Sequence, residues 1–297
     1  MFYAAPDVQE NAGWKAMKRA LRPERVENRF GGMKIGCIGA GKMAGALARG
    51  LVHAGVCDAK NITVSDASDL ARSTLASQLQ VTAADSNAEA VAGADVILVC
   101  VKPADVAKAL AECGAELGGK LLISIVAGLS IQRLQALAGS GARVIRAMPN
   151  TAAQVGKSAT AYAAGEGVTG EDLACAAKIF GAVGQAYPVQ EHLLDAITGL
   201  SGSGPAYVYL MIEALSDGGV AAGLPRTLAS QLAVQTLIGA ATMVAETKEH
   251  PAVLREAVTS PGGTTAAALG VLEAAAVRAA LSEAVQASAE RSRELGE

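Results

Sequence analysis

Short apolar runs alternate with stretches of helical spacing along the first half of the chain. The runs are rich in Val and Ile and predict β-strands at 34–39, 62–65, 96–101, 121–126 and 144–148. Between them, the spacing of apolar positions predicts helices at about 42–54, 69–79, 104–117 and 130–138. Strands that are apolar throughout are typical of a parallel sheet covered by helices on both faces. The alternation therefore predicts a doubly wound α/β domain, which we bound at residues 33–165.

Helical spacing dominates the second half of the chain, where the strand pattern fades. The predicted helices lie at 171–180, 205–222, 226–246, 251–258 and 273–294. A missing N–H costs little at a helix start, and prolines fall near several of these starts: Pro205, Pro225, Pro251 and Pro261. Residues 166–297 are therefore predicted to form an all-helical domain.

Residues 1–32 differ from the rest of the chain. They contain no apolar stretch of 7–15 residues of the kind that a secretory signal requires. Arg22, Arg25 and Arg29 would suit a peptide that targets an organelle, whereas Asp7 and the glutamates of this segment do not. We interpret the segment as a disordered N-terminal extension, with organelle targeting as the alternative.

Charge and cysteine content narrow the classes of function. The chain has 28 acidic and 25 basic residues, so it has no excess of positive charge to neutralise a nucleic-acid backbone. Its five cysteines include no CxxC pair and its three histidines are scattered, which argues against a disulfide framework and a Cys/His metal site. We expect no nucleic-acid partner, no metal, and a reducing compartment, the cytoplasm.

A mean hydropathy of +0.32 raises the question of a membrane. Residues 227–245 form a run of 19 residues without a charge, about the length of a short spanning helix. Gln231 and Gln235 would both lie near the middle of such a span, where buried amides are costly in lipid. We therefore expect a buried helix of a soluble protein and no membrane contact.

A glycine-rich turn follows the first predicted strand, which includes Ile38. Its residues fit the pattern G-x-G-x-x-G/A and open a predicted helix: Gly39, Ala40, Gly41, Lys42, Met43 and Ala44. This pattern provides a tight turn, room for a pyrophosphate, and a helix N-terminus whose partial positive charge faces the phosphates. The turn predicts a dinucleotide site in a Rossmann-type sheet; the alternative is a tight turn that binds nothing.

The end of the second predicted strand carries Ser65, Asp66 and Ser68, where the adenosine ribose would lie. The Asp66 carboxylate can bind the ribose hydroxyls of NAD, and at 4 Å it would repel a 2′-phosphate by about 1–4 kcal/mol. The next arginine along the chain is Arg72. Asp66 and Ser68 are equally suitable as helix N-caps, and the two roles are compatible.

Two further strand ends meet the same edge of the sheet. Cys100, Val101, Lys102 and Pro103 follow one strand, and Lys102 either contacts the cofactor or is a solvated loop lysine. Asn150 follows the last predicted strand and offers an amide to a nicotinamide carboxamide. Asn also favours turns, so a turn role is the alternative.

Two loops rich in Gly and Ser lie in the helical half, at 199–205 and 259–265. Each precedes a helix start and offers backbone N–H groups and hydroxyls, which suits a small carboxylate or a capped turn. Neither contains an acid–base pair of His, Asp or Lys. Reducing a ketone creates an alkoxide that needs a proton donor, whereas reducing a protonated imine gives a neutral amine. Because the loops lack a strong proton donor, they favour an imine over a ketone as the substrate.

Several segments together resemble pyrroline-5-carboxylate reductases over residues 34–294. They are GAGKMA (39–44), RAMPNT (146–151), GLSGSGPAY (199–207), DGGVAAGLPR (217–226) and TSPGGTT (259–265). The resemblance implies a Rossmann domain followed by a helical dimerisation domain. It implies reduction of Δ1-pyrroline-5-carboxylate to L-proline by NADPH or NADH, the last step of proline biosynthesis. It also implies a homodimer, with a decamer of dimers as the larger assembly.

The resemblance also assigns site residues. Thr265 would bond the ring nitrogen as the catalytic residue, and Ser260, Gly263 and Thr264 would surround the substrate carboxylate. Glu191 and Gly262 complete the predicted substrate-binding set. Asn87 and the run Cys100–Pro103 match cofactor contacts.

The chain departs from the family pattern in three places. Asp66-Ala67-Ser68 replaces the usual Asn-Arg-Ser/Thr, which weakens the expected preference for NADPH. Asn150-Thr151-Ala152 replaces Asn-Thr-Pro, and the extension 1–32 has no counterpart. Two other functions fit the pattern less well: a β-hydroxyacid dehydrogenase-like oxidoreductase, which needs a lysine catalyst on a helix, and a non-catalytic dinucleotide-binding protein.

Overall fold

The structure is a computed structural model that describes residues 32–139 and 141–296. The predicted extension, residues 1–32, lies outside the described residues except for Gly32. The described chain divides into two compact units. One contains the residues up to 202 together with those from 289 onwards, and the other contains residues 203–288.

A single sheet forms the centre of the first unit. Its strands within the described residues are β1 (Ile35–Ile38), β2 (Ile62–Ser65), β3 (Thr82–Ala83), β4 (Val96–Val99), β5 (Leu121–Ser124), β6 (Arg143–Met148), β7 (Ser158–Ala164) and β8 (Gly184–Pro188). Their order is β3-β2-β1-β4-β5-β6-β7-β8, and all neighbours are parallel except β6 and β7. The strand order reverses at β1, between β2 and β4, which is where open α/β sheets bind their ligands.

Helices cover both faces of this sheet, as the apolar strands predicted. They are α1 (Lys42–His53), α2 (Asp69–Leu79), α3 (Asn87–Ala92), α4 (Val106–Cys113), α5 (Ile131–Ala138), α6 (Gly170–Gly181) and α7 (Leu194–Ile197). Alternate residues of one strand enter two different cores. Leu98 packs with residues of α1 and α6, whereas Ile97 packs with residues of α3, α4 and α5. The doubly wound prediction is confirmed.

The helix starts follow from side-chain caps. The hydroxyls of Ser68, Ser86 and Ser130 accept hydrogen bonds from the third residue beyond each of them, at the starts of α2, α3 and α5. The start of α6 is a capping box in which Thr169 and Asp172 bond each other's backbone N–H. Asp172 also receives two hydrogen bonds from Arg143 of β6, at 2.8 and 3.1 Å. Burial raises the pKa of Asp172, but the hydrogen bonds from Arg143 and Thr169 outweigh it and hold that pKa below its ordinary value.

The sheet extends further along the chain than the sequence predicted. β7, α6 and β8 belong to the first unit, so the unit boundary falls at 202/203 and not at 165/166. β7 was not predicted because its sequence, SATAYAA, consists mostly of small residues and has no Val or Ile. β8 forms the edge of the sheet, where its Pro188 is tolerated, and β3 has only two residues.

The second unit is helical, as predicted. It contains α8 (Gly204–Ala221), α9 (Arg226–Thr247), α10 (Pro251–Ala257), α11 (Thr264–Ala274) and the greater part of α12 (Val277–Glu294). Three predicted segments differ in the structure, and two of them lie in the first unit. The predicted helix 273–294 breaks at Ala276, whose φ is +53°. The predicted helix 104–117 is α4 with a short 3-10 turn at each end, and residues 198–202 form a π-helical turn where a loop was expected.

Apolar side chains remain exposed along α9. Only Ala229 and Ala233 of this helix are buried in the chain, while the large residues are exposed: Leu228, Leu232, Val234, Ile238, Met243 and Val244. By length and composition α9 could span a membrane, as could α11 and α12 taken as one bent pair. Exposed apolar surface of this extent marks a surface that another molecule covers.

Candidate active site

The turn between β1 and α1 is fixed by its first glycine. Gly39 has a φ of +103°, and its N–H donates to the carbonyl of Ser65 on β2 at 2.8 Å. A Cβ at Gly39 would lie 2.9 Å from the backbone C and O of Cys100, which follows β4. Only glycine fits this position, because its φ is positive and any side chain would force the end of β1 away from the end of β4. The tight turn predicted from the sequence is therefore confirmed.

The second glycine leaves open space. A Cβ at Gly41 would meet nothing within 4 Å. Gly41 is the N-cap of α1 and provides no side-chain acceptor, so the first N–H groups of the helix are available to an anion. Lys42, the first residue of α1, is exposed beside them. This arrangement fits a pyrophosphate.

The flanking residues of the turn have a packing role. Ile38 is fully buried in one core, and its carbonyl accepts from the N–H of Cys100 at 2.8 Å. Ala44 is buried as well, and Met43 packs against the other core. The side chains of Ile38 and Ala44 are buried in the protein beneath the turn, so they are not accessible to a ligand.

Asp66 joins the glycine turn to the end of β2. One carboxylate oxygen accepts from the N–H of Ala40 at 2.7 Å, and the other accepts from the N–H of Ser68 at 2.8 Å. Ser68 itself caps α2, because its hydroxyl accepts from the N–H of Ala71. The structure thus gives the cap role to Ser68 and leaves the Asp66 carboxylate at the glycine turn.

Arg72 is not available to balance the charge of Asp66. Its guanidinium pairs with Asp69 at 2.9 Å and with Asp85 at 3.2 Å. It also donates to the carbonyl of Ala84 at 2.8 Å. The next arginine along the chain is therefore already paired with two carboxylates.

A chain of side-chain hydrogen bonds crosses the same region. The buried hydroxyl of Ser65 donates to Oδ1 of Asn87 at 2.7 Å. Nδ2 of Asn87 in turn donates to Oε2 of Glu112, on α4, at 2.6 Å. Ser65 and Asn87 were predicted as cofactor contacts from the sequence. Glu112 was not predicted, because it lies 25 residues from Asn87 and belongs to no motif.

The segment after β4 lines the other side of the turn. Lys102 and Pro103 are exposed at the start of a 3-10 turn, and Val101 is half-buried. Burial raises the pKa of the Cys100 thiol well above its ordinary value. The thiol is therefore protonated at neutral pH and is no nucleophile.

Asn150 uses its amide within the protein. Its Oδ1 accepts from the N–H of Ala152 at 3.1 Å, and its Nδ2 donates to the carbonyl of Ser201 at 3.0 Å. Its backbone N–H donates to the hydroxyl of Ser158 on β7. These contacts are those of the turn role, and one amide N–H is left for the nicotinamide role that the sequence suggested.

An ionic network around the buried Arg146, near the end of β6, was not predicted. Arg146 pairs with Glu191 at 3.3 Å and with Asp195 at 3.4 Å. Glu191 also accepts from the N–H of Ile131, and Asp195 accepts from the hydroxyl of Ser292 near the end of α12. Glu191, expected at the substrate, has its carboxylate in this network.

The loop at 259–265 has the features expected of a carboxylate site. Gly262 has a φ of +68°, and the N–H of Gly263 donates to the carbonyl of Ser260 at 3.0 Å. Gly263 is the N-cap of α11 and offers no side-chain cap, so the first N–H groups of that helix lack an intrahelical acceptor. Ser260 and Thr264 are exposed, and Thr265 is half-buried.

The loop at 199–205 differs from it. The hydroxyls of Thr198 and Ser201 donate to carbonyls one turn earlier, those of Leu194 and Ile197. These hydrogen bonds lie in the π-helical turn and the helix before it, so they favour the capped turn over a carboxylate site. Within the described residues no three side chains of His, Cys, Asp or Glu are grouped so as to hold a metal ion.

Two family models match the chain. The model described as pyrroline-5-carboxylate reductase dimerisation matches residues 191–295. The model described as NADP oxidoreductase, coenzyme F420-dependent, matches residues 34–128. The first match covers the whole helical unit and the second covers the glycine turn.

Relatives of known name match almost the whole chain. The pyrroline-5-carboxylate reductase of Arabidopsis thaliana is 49% identical over 89% of this chain and 96% of its own length. That of Synechocystis is 47% identical over 89% and 98%. Among solved structures, the Plasmodium falciparum pyrroline carboxylate reductase with NADP bound has a TM-score of 0.84 at 34% identity, covering 91% of this chain and all of that one.

Proposed function

Because the chain belongs to the pyrroline-5-carboxylate reductase family, we propose that it reduces Δ1-pyrroline-5-carboxylate to L-proline with NADPH or NADH. The observation that carries the proposal is the start of α11. It offers uncapped N–H groups and the hydroxyl of Thr265, and residues 259–265 contain no titratable side chain. Such a site suits a small imine that carries a carboxylate and is protonated at nitrogen, because hydride addition to its carbon gives a neutral amine and needs no strong general acid.

The sheet unit has the features that a nicotinamide dinucleotide needs. The open space at Gly41 and the N–H groups that begin α1 would hold the pyrophosphate, and Asp66 would face the adenosine ribose. When bound, the reduced nicotinamide supplies a hydride. The protein's part is to hold the dinucleotide along the edge formed by the ends of β1, β2 and β4.

The helical unit would hold the substrate. The N–H groups of Thr264 and Thr265 lie at the positive end of the α11 dipole, where a carboxylate is stabilised. The Thr265 hydroxyl would then bond the ring nitrogen and orient the imine carbon. A misdirected ring loses rate even when it binds, because hydride transfer depends on alignment.

Both nucleotides should serve. The Plasmodium structure named above holds NADP, which favours NADPH as a cofactor. The Asp66 carboxylate disfavours a 2′-phosphate, and Arg72 is already paired with Asp69 and Asp85. We infer that the chain accepts NADPH and NADH, with a weaker preference for NADPH than relatives that carry an arginine where this chain has Ala67.

We further propose a homodimer formed through the helical unit, with assembly of dimers into a larger ring. The support is the exposed apolar surface of α9 and the match of residues 191–295 to a dimerisation model. The five cysteines, all free thiols, support the proposal that the chain works in a reducing compartment, the cytoplasm.

Replacing Thr265 by Val tests the substrate role. The change keeps the shape and removes one positioned hydrogen bond, so kcat/KM for pyrroline-5-carboxylate should fall about 10- to 100-fold, equivalent to about 1.5–3 kcal/mol. Oxidation of NADPH and NADH is followed separately at 340 nm. Thr82→Val, on the exposed β3, is the matched control and should keep the wild-type rate. Wild-type activity in the Thr265 variant contradicts the role, and no turnover by the wild type contradicts the function.

Replacing Asp66 by Asn tests cofactor selection. Loss of a repulsion of about 1 kcal/mol should raise the NADPH/NADH ratio of kcat/KM about fivefold. Both values should fall in absolute terms, because an amide has one acceptor oxygen and either Ala40 or Ser68 loses its partner. Asp58→Asn removes the same charge before β2, at the opposite edge, and should leave the ratio unchanged. An unchanged ratio in the Asp66 variant would mean that Asp66 only shapes the turn.

The homodimer is tested by light scattering at micromolar concentration. The mass should be at least twice the chain mass of 29.8 kDa. Ile238→Asp places a charge on the exposed apolar surface of α9 and should shift the protein towards the monomer. A wild-type monomer refutes the proposal.

A further inference from the structure

We propose that Glu112 is a positioning residue for the dinucleotide. Its carboxylate fixes the orientation of the Asn87 amide, so that one N–H of Asn87 faces the adenosine ribose. The inference rests on the proposed function, since it assumes that a dinucleotide lies along this edge of the sheet. Glu112 itself does not contact the nucleotide and acts only through Asn87.

The two ends of the Asn87 amide have different partners. Ser65, next to Asp66 at the end of β2, donates its hydroxyl proton to Oδ1 at 2.7 Å. Glu112, near the end of α4, accepts from Nδ2 at 2.6 Å. Asn87 is the first residue of α3, directly after the cap Ser86. The amide therefore links three elements at the place where the ribose is expected.

The carboxylate determines which way the amide faces. A flipped amide would place Oδ1 against the Glu112 carboxylate, two acceptors with no proton between them. Ser65 alone would not prevent the flip, because a hydroxyl can donate or accept and its alternative acceptor, the carbonyl of Cys37, lies 3.3 Å away. Glu112 accepts only, so it is the group that fixes Nδ2 on its own side.

This orientation leaves a defined donor. An amide nitrogen carries two protons, and Glu112 takes one of them. The other N–H of Asn87 has no partner among the described residues and lies at the half-exposed edge next to Ser65 and Asp66. A ribose hydroxyl is an acceptor suited to this N–H. Asp66 can accept from the neighbouring ribose hydroxyl, so the pair offers one donor and one acceptor to the diol.

The test measures NADH binding by fluorescence titration of the full-length protein. Glu112→Ala should raise the Kd about three- to tenfold, as should Asn87→Ala. Glu112→Gln keeps an acceptor oxygen but gains a donor, so it selects the orientation of Asn87 less strongly, and its Kd should lie between those of the wild type and Glu112→Ala. In the Asn87→Ala background, Glu112→Ala should add less than a twofold change, because Glu112 then has nothing to position. At saturating NADH, kcat should not change with the Glu112 substitutions.

The control is Glu116→Ala, which removes an exposed carboxylate four residues further on and should leave the Kd unchanged. Three results would overturn the inference: wild-type binding by Glu112→Ala, equal losses from Glu112→Ala with and without Asn87, or a Gln variant as weak as the Ala variant. If any of them appears while the wild type still reduces pyrroline-5-carboxylate, the proposed function stands without this residue. If the wild type binds neither NADH nor NADPH, both fail.

Discussion

The close approach of Gly39 to the backbone of Cys100 is the contact on which the candidate site depends. With a Cβ distance of 2.9 Å, no other residue fits without parting β1 from β4. The same residue bonds the carbonyl of Ser65, and Asp66 then bonds the N–H of the next residue, Ala40. Three strand ends are thereby held together, and the uncapped start of α1 is left facing open space. An anion site follows from these backbone contacts before any side chain of the turn is considered.

The two units differ in how their apolar side chains are covered. The sheet unit buries its apolar side chains in two cores of its own. The helical unit does not, because most of the exposed large apolar side chains belong to residues 203–288. The helical unit therefore leaves a large apolar surface exposed. The family model that matches residues 191–295 is described as a dimerisation domain, which indicates that a second chain buries this surface. Thr265 lies on the unit whose exposed apolar surface the proposed dimer would cover.

Local signals explain what the sequence could and could not predict. β1, β2, β4, β5 and β6 were found because each is a short apolar run, and the glycine turn because its spacing is dictated by sterics. β7 was missed because small residues can enter a strand without an apolar run. Glu112 and the network around Arg146 were missed because their partners lie 25 and 45 residues away, and no local pattern encodes such a pairing.

The Gly41→Ala substitution shows whether the turn at Gly39–Ala44 holds a dinucleotide. A Cβ at this position meets no protein atom within 4 Å, so the free energy of unfolding should change by less than about 1 kcal/mol, or about 2–4 °C in Tm. The same methyl group would occupy the space of the pyrophosphate, so the Kd for NADPH should rise more than about tenfold, which is 1.4 kcal/mol. An unchanged Tm together with an unchanged NADPH affinity would mean that the pyrophosphate does not lie at this turn.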